Sequence, residues 1–468
     1  MIRRILLFAV ITLISAGYAS AQSGLKARID TLIKSLPAGS DVGISVYDLT
    51  AKEQLYSYRS DKLSRPASTM KLLTGITALS QKGHNDPFRT EAWYKGTIDR
   101  DTLYGDIYVI GGFDPEFSDP GMDYLVNAIS ELPFSVVTGT VYGDVSMTDS
   151  LYWGNGWVWD DDPASFQPYM SPLMFHKGKV TVTAYPTTKG DTASIQIEPV
   201  STYYSLNNET KTKTPAAGKF IIDRNWLENG NTITVKGNVA GARKGEINLY
   251  SSKDFFMHTF IERLRAGGLS TDNVYGFNEL VKDSTAVRIA RWSTSMQDVL
   301  DELMKESDNL NAEAMLYRIG RKATGKKKVI PEYGLKVIEQ KMKEIGYDPE
   351  DFNIVDGSGL SNYNYISPQL LVDFLKYAYS DTGIFQQLYK SLPTAGIDGT
   401  LKNRMKSTKA YKNVAAKTGS FTGINCLAGY VKRSDGHYLA FAIMNQNVLT
   451  GKYAREFQDK ICEMLVTP

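Results

Sequence analysis

Residues 65–79 read RPASTMKLLTGITAL, and the rest of the chain is best understood from this stretch. Pro66 suits the first turn of a helix, where its missing N–H leaves no hydrogen bond unmade. The apolar side chains that follow recur at the spacing of one buried helix face, at Leu72, Leu73, Ile76 and Leu79. The stretch therefore predicts a buried helix that begins near Pro66 and presents Ser68 and Lys71 from its first turn.

A serine and a lysine three residues apart at a helix start form a candidate nucleophile and base. Ser68 and Lys71 lie on the same face of the helix, within reach of a shared proton. The backbone N–H groups of the helix N-terminus can stabilise a developing oxyanion. A lysine acts as a base only when its pKa falls, and burial and a second nearby cation lower it. The structural alternative is a helix cap with a solvated lysine beside it.

Two further motifs follow far along the chain. Ser307-Asp308-Asn309 and Lys417-Thr418-Gly419 come after the Ser68 motif in that order. Each motif alone is weak, because residues 23–26 also fit the first pattern and residues 205–207 the second. The Ser68 copy is favoured because it opens an apolar-striped helix, whereas residue 23 lies at the irregular start of the mature chain.

The three motifs together supply the groups that acyl transfer needs. Lys417 can be the second cation and can hold a terminal carboxylate, while the N–H of Ser420 completes an oxyanion hole. Ser307 can relay a proton to a leaving amine. The amide of Asn309 can orient Lys71 and the backbone of a substrate. The sequence therefore predicts that these side chains converge in one cleft.

The coarse pattern predicts an α/β fold interrupted by a β-rich insertion. The flanks, residues 22–84 and 290–468, form one discontinuous domain. Its predicted strands are 41–49, 55–59, 426–432 and 438–444. A helix capped by Thr294 or Ser295 is predicted next, and the later predicted helices are 310–323, 332–345, 368–379 and 453–465. The insertion, residues 85–289, has predicted strands at 103–110, 136–145, 179–185, 193–197 and 232–239, with a lone helix at 122–132 and a helical run at 255–265.

The first residues predict an export signal over positions 1–21. Arg3 and Arg4 precede an apolar run at 5–14, and small residues end at Ala21. The run is shorter than the roughly 20 residues of a membrane span. Cleavage after Ala21 takes the formal charge from +2 to 0, which gives no reason to expect nucleic acid or an anionic membrane as a partner. We expect an exported protein, periplasmic or secreted, without an integral anchor.

No cofactor and no metal site are expected. Cys426 and Cys462 are the only cysteines, so a zinc site built from thiolates is excluded. A disulfide between them and two free buried thiols are both open readings, because spacing does not settle geometry. The histidines are scattered without metal spacing and are interpreted as structural: His84, His176, His258 and His437.

The combined motifs resemble the active-site serine penicillin-recognising enzymes. Longer stretches narrow the resemblance to the class C penicillin-binding proteins, the D-alanyl-D-alanine carboxypeptidase/endopeptidases of the penicillin-binding protein 4 type. These stretches are residues 65–71, Asp356-Gly357-Ser358-Gly359-Leu360-Ser361, residues 395–401 and Lys417-Thr418-Gly419-Ser420. The family hallmark is a large insertion between the first two motifs, and here Ser68 and Ser307 are 239 positions apart. The resemblance spans nearly all of the mature chain.

The resemblance implies a penicillin-binding transpeptidase fold, in which an antiparallel sheet packs with helices, and a set of roles. Ser68 is the nucleophile that the D-Ala-D-Ala end of a peptidoglycan peptide acylates, and Lys71 is its base. Ser307 and Asn309 form the second motif, and the strand from Lys417 through Thr418 and Gly419 to Ser420 binds substrate. β-Lactams are implied as covalent inhibitors.

One residue in the insertion and two departures from the family pattern complete the expectations. Residues 156–161 resemble a Trp-containing segment whose final carboxylate binds the ammonium group of the diamino acid in the stem peptide. Asp161 is that candidate, and a turn residue is the alternative. Asn362 stands where the family often has Arg, and Phe113 replaces a usual glycine in a turn after a strand.

Two rival functions differ in what they require. A β-lactamase or esterase on the same scaffold would release a bound penicillin rapidly, whereas a peptidase would retain it. A non-catalytic wall-binding protein should have lost one of the motif residues, and Ser68, Lys71, Ser307, Asn309 and Lys417 are all present.

Overall fold

The computed structural model describes residues 24–83, 85–271 and 274–467. The predicted signal at 1–21 and His84 lie outside these residues. The chain forms two compact units. Unit 1 holds the described residues of Met1–Lys82, Leu300–Asp308 and Leu335–Pro468, and unit 2 those of Gly83–Val299 and Asn309–Gly334.

The elements are numbered along the chain. The strands are β1 Asp41–Asp48, β2 Glu53–Tyr58, β3 Phe88–Asp99, β4 Thr102–Ile110, β5 Val136–Val137, β6 Val141–Asp144, β7 Lys179–Tyr185, β8 Ser194–Glu198, β9 Ser205–Thr212, β10 Ile221–Arg224, β11 Thr232–Val239, β12 Arg243–Asn248, β13 Ser270–Thr271, β14 Gly276–Phe277, β15 Ala286–Thr294, β16 Val414–Phe421, β17 Ile424–Lys432 and β18 Tyr438–Gln446. The helices are α1 at 24–34, α2 Lys71–Ser80, α3 Asp119–Ser130, α4 Ser252–Ala266, α5 Met296–Lys305, α6 Asn309–Thr324, α7 Pro331–Glu344, α8 Pro368–Ser380, α9 Thr382–Ser391 and α10 Gly451–Val466.

Unit 1 is built on an antiparallel sheet in the order β16-β17-β18-β1-β2. Side chains of β1 such as Val42 and Ile44 point to one face, where they share a core with α10 and with Ile29 of α1. Gly43 points to the other face, where a Cβ atom would lie 2.7 Å from Pro368 at the start of α8. Helices therefore cover both faces, which explains why β17 and β18 are buried along almost their whole length.

Unit 2 is rich in β-structure. Its largest sheet has seven strands, with β13-β5-β4-β3-β15 as the main path and β6 and β14 joined through β4. Two three-stranded sheets follow the orders β10-β11-β9 and β12-β7-β8. Helices α3 and α4 bury Leu125 and Phe256 in a core shared with Ile107 of β4 and Val180 of β7.

The predicted fold class, an antiparallel sheet packed with helices together with a β-rich region, is confirmed. The single strand predicted at 136–145 is wrong, because β5 and β6 are separate. Gly139 donates its N–H to the Gly105 carbonyl at 3.0 Å, and the N–H of Thr140 donates to Asp106 at 2.8 Å, so the chain turns there. The helix at 122–132 is not alone, since α4 belongs to the same unit. The boundaries at 85 and 289 stay predictions.

Several elements carry no strong local signal and were not predicted. Helix α9 follows α8 after a single residue, and it starts because the Asp381 carboxylate accepts from the N–H groups of Gly383 and Ile384.

Of the two residues predicted to cap α5, Ser295 is the one that does so, because its hydroxyl accepts from the N–H of Asp298 at 3.1 Å. Thr294, the other predicted candidate, ends β15 instead.

Asp114 is a buried carboxylate in the turn that follows β4. Its side chain is 1% exposed and accepts from the hydroxyl of Thr294 at 2.6 Å and from the N–H of Glu116 at 3.0 Å. Burial raises its pKa to about 6, since these two hydrogen bonds only partly offset the lost hydration. The folded protein therefore holds this proton more tightly than the unfolded chain does.

Replacing Asp114 with Asn should change how stability depends on pH. Because the folded pKa is raised, the protonated carboxyl group of Asp114 contributes its full stability at low pH, and this contribution is lost as pH rises through about 6. Relative to Asp114→Asn, the free energy of unfolding of the parent should fall by about 2 kcal/mol between about pH 4.5 and 7.5. Urea titrations across that range measure it. The exposed Asp191→Asn should track the parent, and an Asp114→Asn profile parallel to the parent would contradict the assignment.

Candidate active site

Ser68 lies on a tight turn held by two close-packed glycines. A short 3-10 helix, Ala67–Met70, leads directly into α2, and Ala67 has the unusual left-handed φ of 46°. A Cβ atom at Gly419 in β16 would lie 2.8 Å from the Ser68 nitrogen. On Gly359, whose φ is 76°, a Cβ atom would lie 2.0 Å from the Ala67 carbonyl oxygen. The turn is thus held by backbone on two sides.

Lys71 reaches back to the serine from the first turn of α2. Its Nζ donates to the Ser68 Oγ at 3.0 Å and to the Ser358 carbonyl at 2.7 Å. The lysine is 0% exposed, whereas Ser68 is only half-buried. A buried amine and an accessible hydroxyl are therefore within hydrogen-bond distance.

A second buried lysine comes from β16. Lys417 is 0% exposed, and its Nζ donates to the Ser307 hydroxyl at 2.7 Å and to the Thr418 carbonyl at 2.9 Å. Burial, and then the charge of Lys71, hold the pKa of Lys417 well below its usual range, while Glu306 acts in the opposite direction. Ser307 has a φ of 64°, so this serine also occupies a strained backbone conformation.

Unit 1 therefore brings together four of the predicted side chains from three distant segments. Ser68 pairs with Lys71 and Ser307 pairs with Lys417. The two pairs are linked because β16 abuts the Ser68 turn and the two lysine charges act on one another. The arrangement has a hydroxyl beside an amine in a region where water is excluded from both amines.

Strand β16 stands at one end of the sheet order and presents backbone donors along its outer edge. The N–H of Ala416 donates to the Pro393 carbonyl, on the side away from β17. Because backbone groups in an antiparallel strand alternate sides, the N–H groups of Thr418 and Ser420 point to that outer side as well. Thr418 also donates its hydroxyl to Thr400 at 2.8 Å, and Ser420 is exposed.

The segment 356–364 supports the site in a way that the motifs did not reveal. The buried Asp356 carboxylate accepts from the N–H groups of Gly359 at 2.8 Å and Ser361 at 2.6 Å, and from the Asn364 amide at 2.8 Å. These bonds fix the loop that turns the Ser358 carbonyl towards Lys71. The motif at 356–361 is visible in the sequence, but its part in orienting the Ser358 carbonyl is visible only in the structure.

Two predicted site residues belong to unit 2. Asn309 begins α6, and its amide donates to the Phe166 carbonyl at 2.9 Å. Asp161 ends the short helix Trp159–Asp161 and is half-buried. Burial and the adjacent Asp160 raise the pKa of Asp161. The neighbouring Asp162 forms a buried ion pair with Arg224 at 2.7 Å. The sequence motif did not predict this structural role.

The two departures from the family pattern have local explanations. Phe113 adopts a φ of 56°, in the left-handed region that suits glycine, and its buried ring lies 5.2 Å from that of Tyr317. Packing of the ring thus offsets the backbone strain. The carbonyl of Asn362 accepts from the Arg65 guanidinium at 3.1 Å, so a cation from the serine segment lies beside this position.

The cysteines and histidines make structural contacts. Cys426 and Cys462 are free and buried, and burial raises the pKa of both thiols. Within residues 24–83, 85–271 and 274–467 no three His, Cys, Asp or Glu side chains are grouped as a metal site. The described imidazoles hydrogen-bond to polar side chains at 2.8 Å, namely His176 to Asp119, His258 to Thr202 and His437 to Asp48.

Every helix in the described part of the chain falls short of a membrane span in length or apolar character.

Comparisons with known proteins point to one family and one fold. The model of the D-Ala-D-Ala carboxypeptidase 3 (S13) family matches residues 25–467. A D-alanyl-D-alanine carboxypeptidase of Actinomadura sp. (strain R39) is 30% identical over 461 residues, covering 94% of this chain and 84% of the relative. The crystal structure of penicillin binding protein 4 from Haemophilus influenzae has a TM-score of 0.82 at 20% identity, covering 94% and 99% of the two chains. Its complex with a β-lactam has a TM-score of 0.75 at the same identity and coverage.

The family match places the chain in a class of serine peptidases, and the fold agrees with it. The family match extends over nearly the whole described chain, and the chain belongs to the D-Ala-D-Ala carboxypeptidase 3 (S13) family. The resemblance predicted from the motifs is confirmed.

The glycine that backs the Ser68 turn should be intolerant of any side chain. Gly359→Ala adds left-handed strain and a clash with the Ala67 carbonyl, whereas Gly346→Ala adds strain alone, because nothing lies within 4 Å of its Cβ position. We expect a loss in the free energy of unfolding of about 1–2 kcal/mol for Gly346→Ala and at least about 3 kcal/mol for Gly359→Ala. Urea denaturation measures both. Equal losses would show that the close approach at Gly359 does not matter.

Proposed function

We propose that this enzyme cleaves peptidoglycan stem peptides as a serine-type D-Ala-D-Ala carboxypeptidase, a D,D-endopeptidase or both, through an acyl-enzyme on Ser68. The observation that carries the proposal is the 3.0 Å contact between the buried Lys71 Nζ and the half-buried Ser68 Oγ. A nucleophile needs a base within hydrogen-bond reach, and this pair meets that requirement.

The first step is attack of the Ser68 Oγ on the carbonyl carbon of the D-Ala-D-Ala bond as Lys71 takes the hydroxyl proton. The resulting oxyanion is stabilised by the N–H groups of Ser68 and Ser420, and the outward direction of the Ser420 N–H supports this role. Collapse breaks the carbon–nitrogen bond, and Ser307 relays to the leaving amine the proton that Lys71 took from Ser68. Water then attacks the ester, releases the shortened peptide and restores the serine.

The two lysines have complementary roles. Lys417, with Thr418 and Gly419 in the same strand, receives the terminal carboxylate of the substrate. That carboxylate favours the protonated form of Lys417, and a protonated Lys417 in turn favours the neutral form of Lys71. The buried, mutually interacting amines support this assignment. Substrate binding thereby prepares the base.

Asn309 and Asp161 enter the proposal on the resemblance of their motifs. Asn309 is assigned to the substrate backbone, and Asp161 to the ammonium group of the diamino acid. The raised pKa of Asp161 fits a carboxyl group that gains from a cationic ligand. No metal or other cofactor enters the reaction scheme.

The proposal extends to inhibition and cellular location. The likeness to a penicillin binding protein whose structure holds a β-lactam supports covalent inhibition of this enzyme at Ser68. An enzyme acting on the cell wall works outside the cytoplasm, and the sequence pattern at 1–21 supports export to the periplasm or the medium. We propose that residues 22–84 with 290–468 carry the peptidase domain and residues 85–289 the insertion.

Ser68→Ala should abolish covalent labelling by a fluorescent penicillin while the protein stays folded. The matched control is Ser80→Ala, which removes a hydroxyl from the other end of α2, where it donates to the Thr77 carbonyl. Gel fluorescence after denaturation reports the label, and circular dichroism reports the fold. Undiminished labelling of Ser68→Ala would eliminate the proposed nucleophile, and loss of labelling in Ser80→Ala alone would do the same.

Product analysis should separate the possible activities. Mass spectrometry of pentapeptides should show loss of one D-Ala, and cross-linked muropeptides should be divided if the endopeptidase reaction also occurs. Both products should vanish with penicillin and in Ser68→Ala. A penicillin adduct that persists for minutes marks a peptidase. Rapid turnover of penicillin with no peptide cleavage would instead identify a β-lactamase, and cleavage by Ser68→Ala would refute the mechanism.

A further inference from the structure

A cavity of about 580 Å³ lies within unit 2 and is lined by more basic than acidic side chains. Seven basic and three acidic side chains border it, and one of the basic ones, Lys327, pairs with Glu279 outside the lining. They come from the start of β3, from β15 and the segment before it, and from the C-terminal half of α6 and the residues after it. The volume suits a small organic ligand.

The acidic side chains of the cavity already have partners. Asp86 accepts from Lys322 at 2.8 Å, and Glu91 accepts from Arg291 at 2.6 Å. The Asp144 carboxylate accepts from the backbone N–H groups of residues 146 and 280, each at 2.9 Å. Asp86 and Glu91 are therefore each paired with one cation of the cavity, whereas Asp144 is held by backbone donors.

Arg318 is the most deeply placed of these cations. It is 9% exposed, and its guanidinium lies over the buried Phe88 ring at 5.5 Å from the ring centre. Burial lowers its pKa, and the nearby Arg89 lowers it further, although Asp86 acts in the opposite direction. A cation that is dehydrated next to a second cation is stabilised by an incoming anion.

The helix dipole offers a simpler explanation for part of the cluster. Arg321 and Lys322 occupy the last turn of α6, where cations are favoured without any ligand. The dipole does not account for Lys282 and Arg291, which approach the cavity from β15 and the segment before it. The helix dipole also does not explain why Arg318 is buried near a second cation, Arg89. Two groups of cations therefore face one cavity from opposite elements.

We propose that this cavity is an accessory site for a ligand with two or more oxyanion groups, either phosphates or carboxylates. Arginine suits both, because its planar guanidinium donates two parallel hydrogen bonds to such groups. The apolar lining from Phe88, Met147 and Leu280 lowers the local dielectric and strengthens the attraction. The proposal is independent of the chemistry assigned to Ser68.

Isothermal titration with inorganic pyrophosphate and with tricarballylate, at constant ionic strength, tests the site in the full-length protein. The parent should bind at least one of them saturably and more weakly as salt rises. Arg89→Gln with Arg321→Gln removes two exposed cations of the cavity and should weaken binding about tenfold or more. The matched control, Arg243→Gln with Lys244→Gln, removes two exposed cations of β12 that do not line the cavity.

Each outcome decides the proposal. Binding of pyrophosphate alone identifies a phosphate-bearing ligand, binding of tricarballylate alone a polycarboxylate, and binding of both a general oxyanion site. Absence of saturable binding in the parent would overturn the proposal, as would equal weakening in the cavity and control variants. Arg318→Gln should also weaken binding. If this variant does not fold, the double variant Arg89→Gln with Arg321→Gln tests the proposal alone.

Discussion

The burial of two lysine amines in one region of unit 1 is the constraint on which the site depends. Removing an ammonium group from water is unfavourable unless other groups replace the lost hydration, and two like charges add repulsion. The acceptors found around Lys71 and Lys417 include carbonyl oxygens and hydroxyls, which suit neutral amines as well as charged ones. The protein has thus placed two amines where burial disfavours the charged form, and a neutral amine is the form that can accept a proton.

Backbone geometry keeps these groups in place. Gly359 and Gly419 allow main chain to approach the serine turn more closely than any side chain would permit. Ala67 and Ser307 occupy left-handed conformations that most residues avoid, and such strain persists only where the surroundings enforce it. Asp356 provides part of that enforcement by binding two backbone N–H groups and an amide of its own loop. The supports of the site are thus close backbone contacts and one buried carboxylate.

Charged side chains in unit 2 occur in two kinds of surroundings. Asp162 and Arg224 form a buried pair whose charges satisfy each other, and the pair holds surrounding structure together. The cavity beside Arg318 is different, because its basic side chains outnumber its acidic ones. Asp161, one residue from the buried pair, has its pKa raised by burial and by the adjacent Asp160. Aspartates that are adjacent in sequence, such as Asp161 and Asp162, can therefore have different surroundings.

The sequence by itself determined the fold class, the family, the buried helix that follows Ser68 and the order of the motifs, because residue types and short periodicities are local properties. Element boundaries agreed closely at β7 and β11 but failed at 136–145, where a side-chain contact from Asp106 turns the chain. Only the tertiary structure decided that Lys417 meets Ser307 across 110 positions, and that Cys426 and Cys462 stay apart as free thiols. Such distances follow from sheet order and packing between remote segments, which no local pattern encodes.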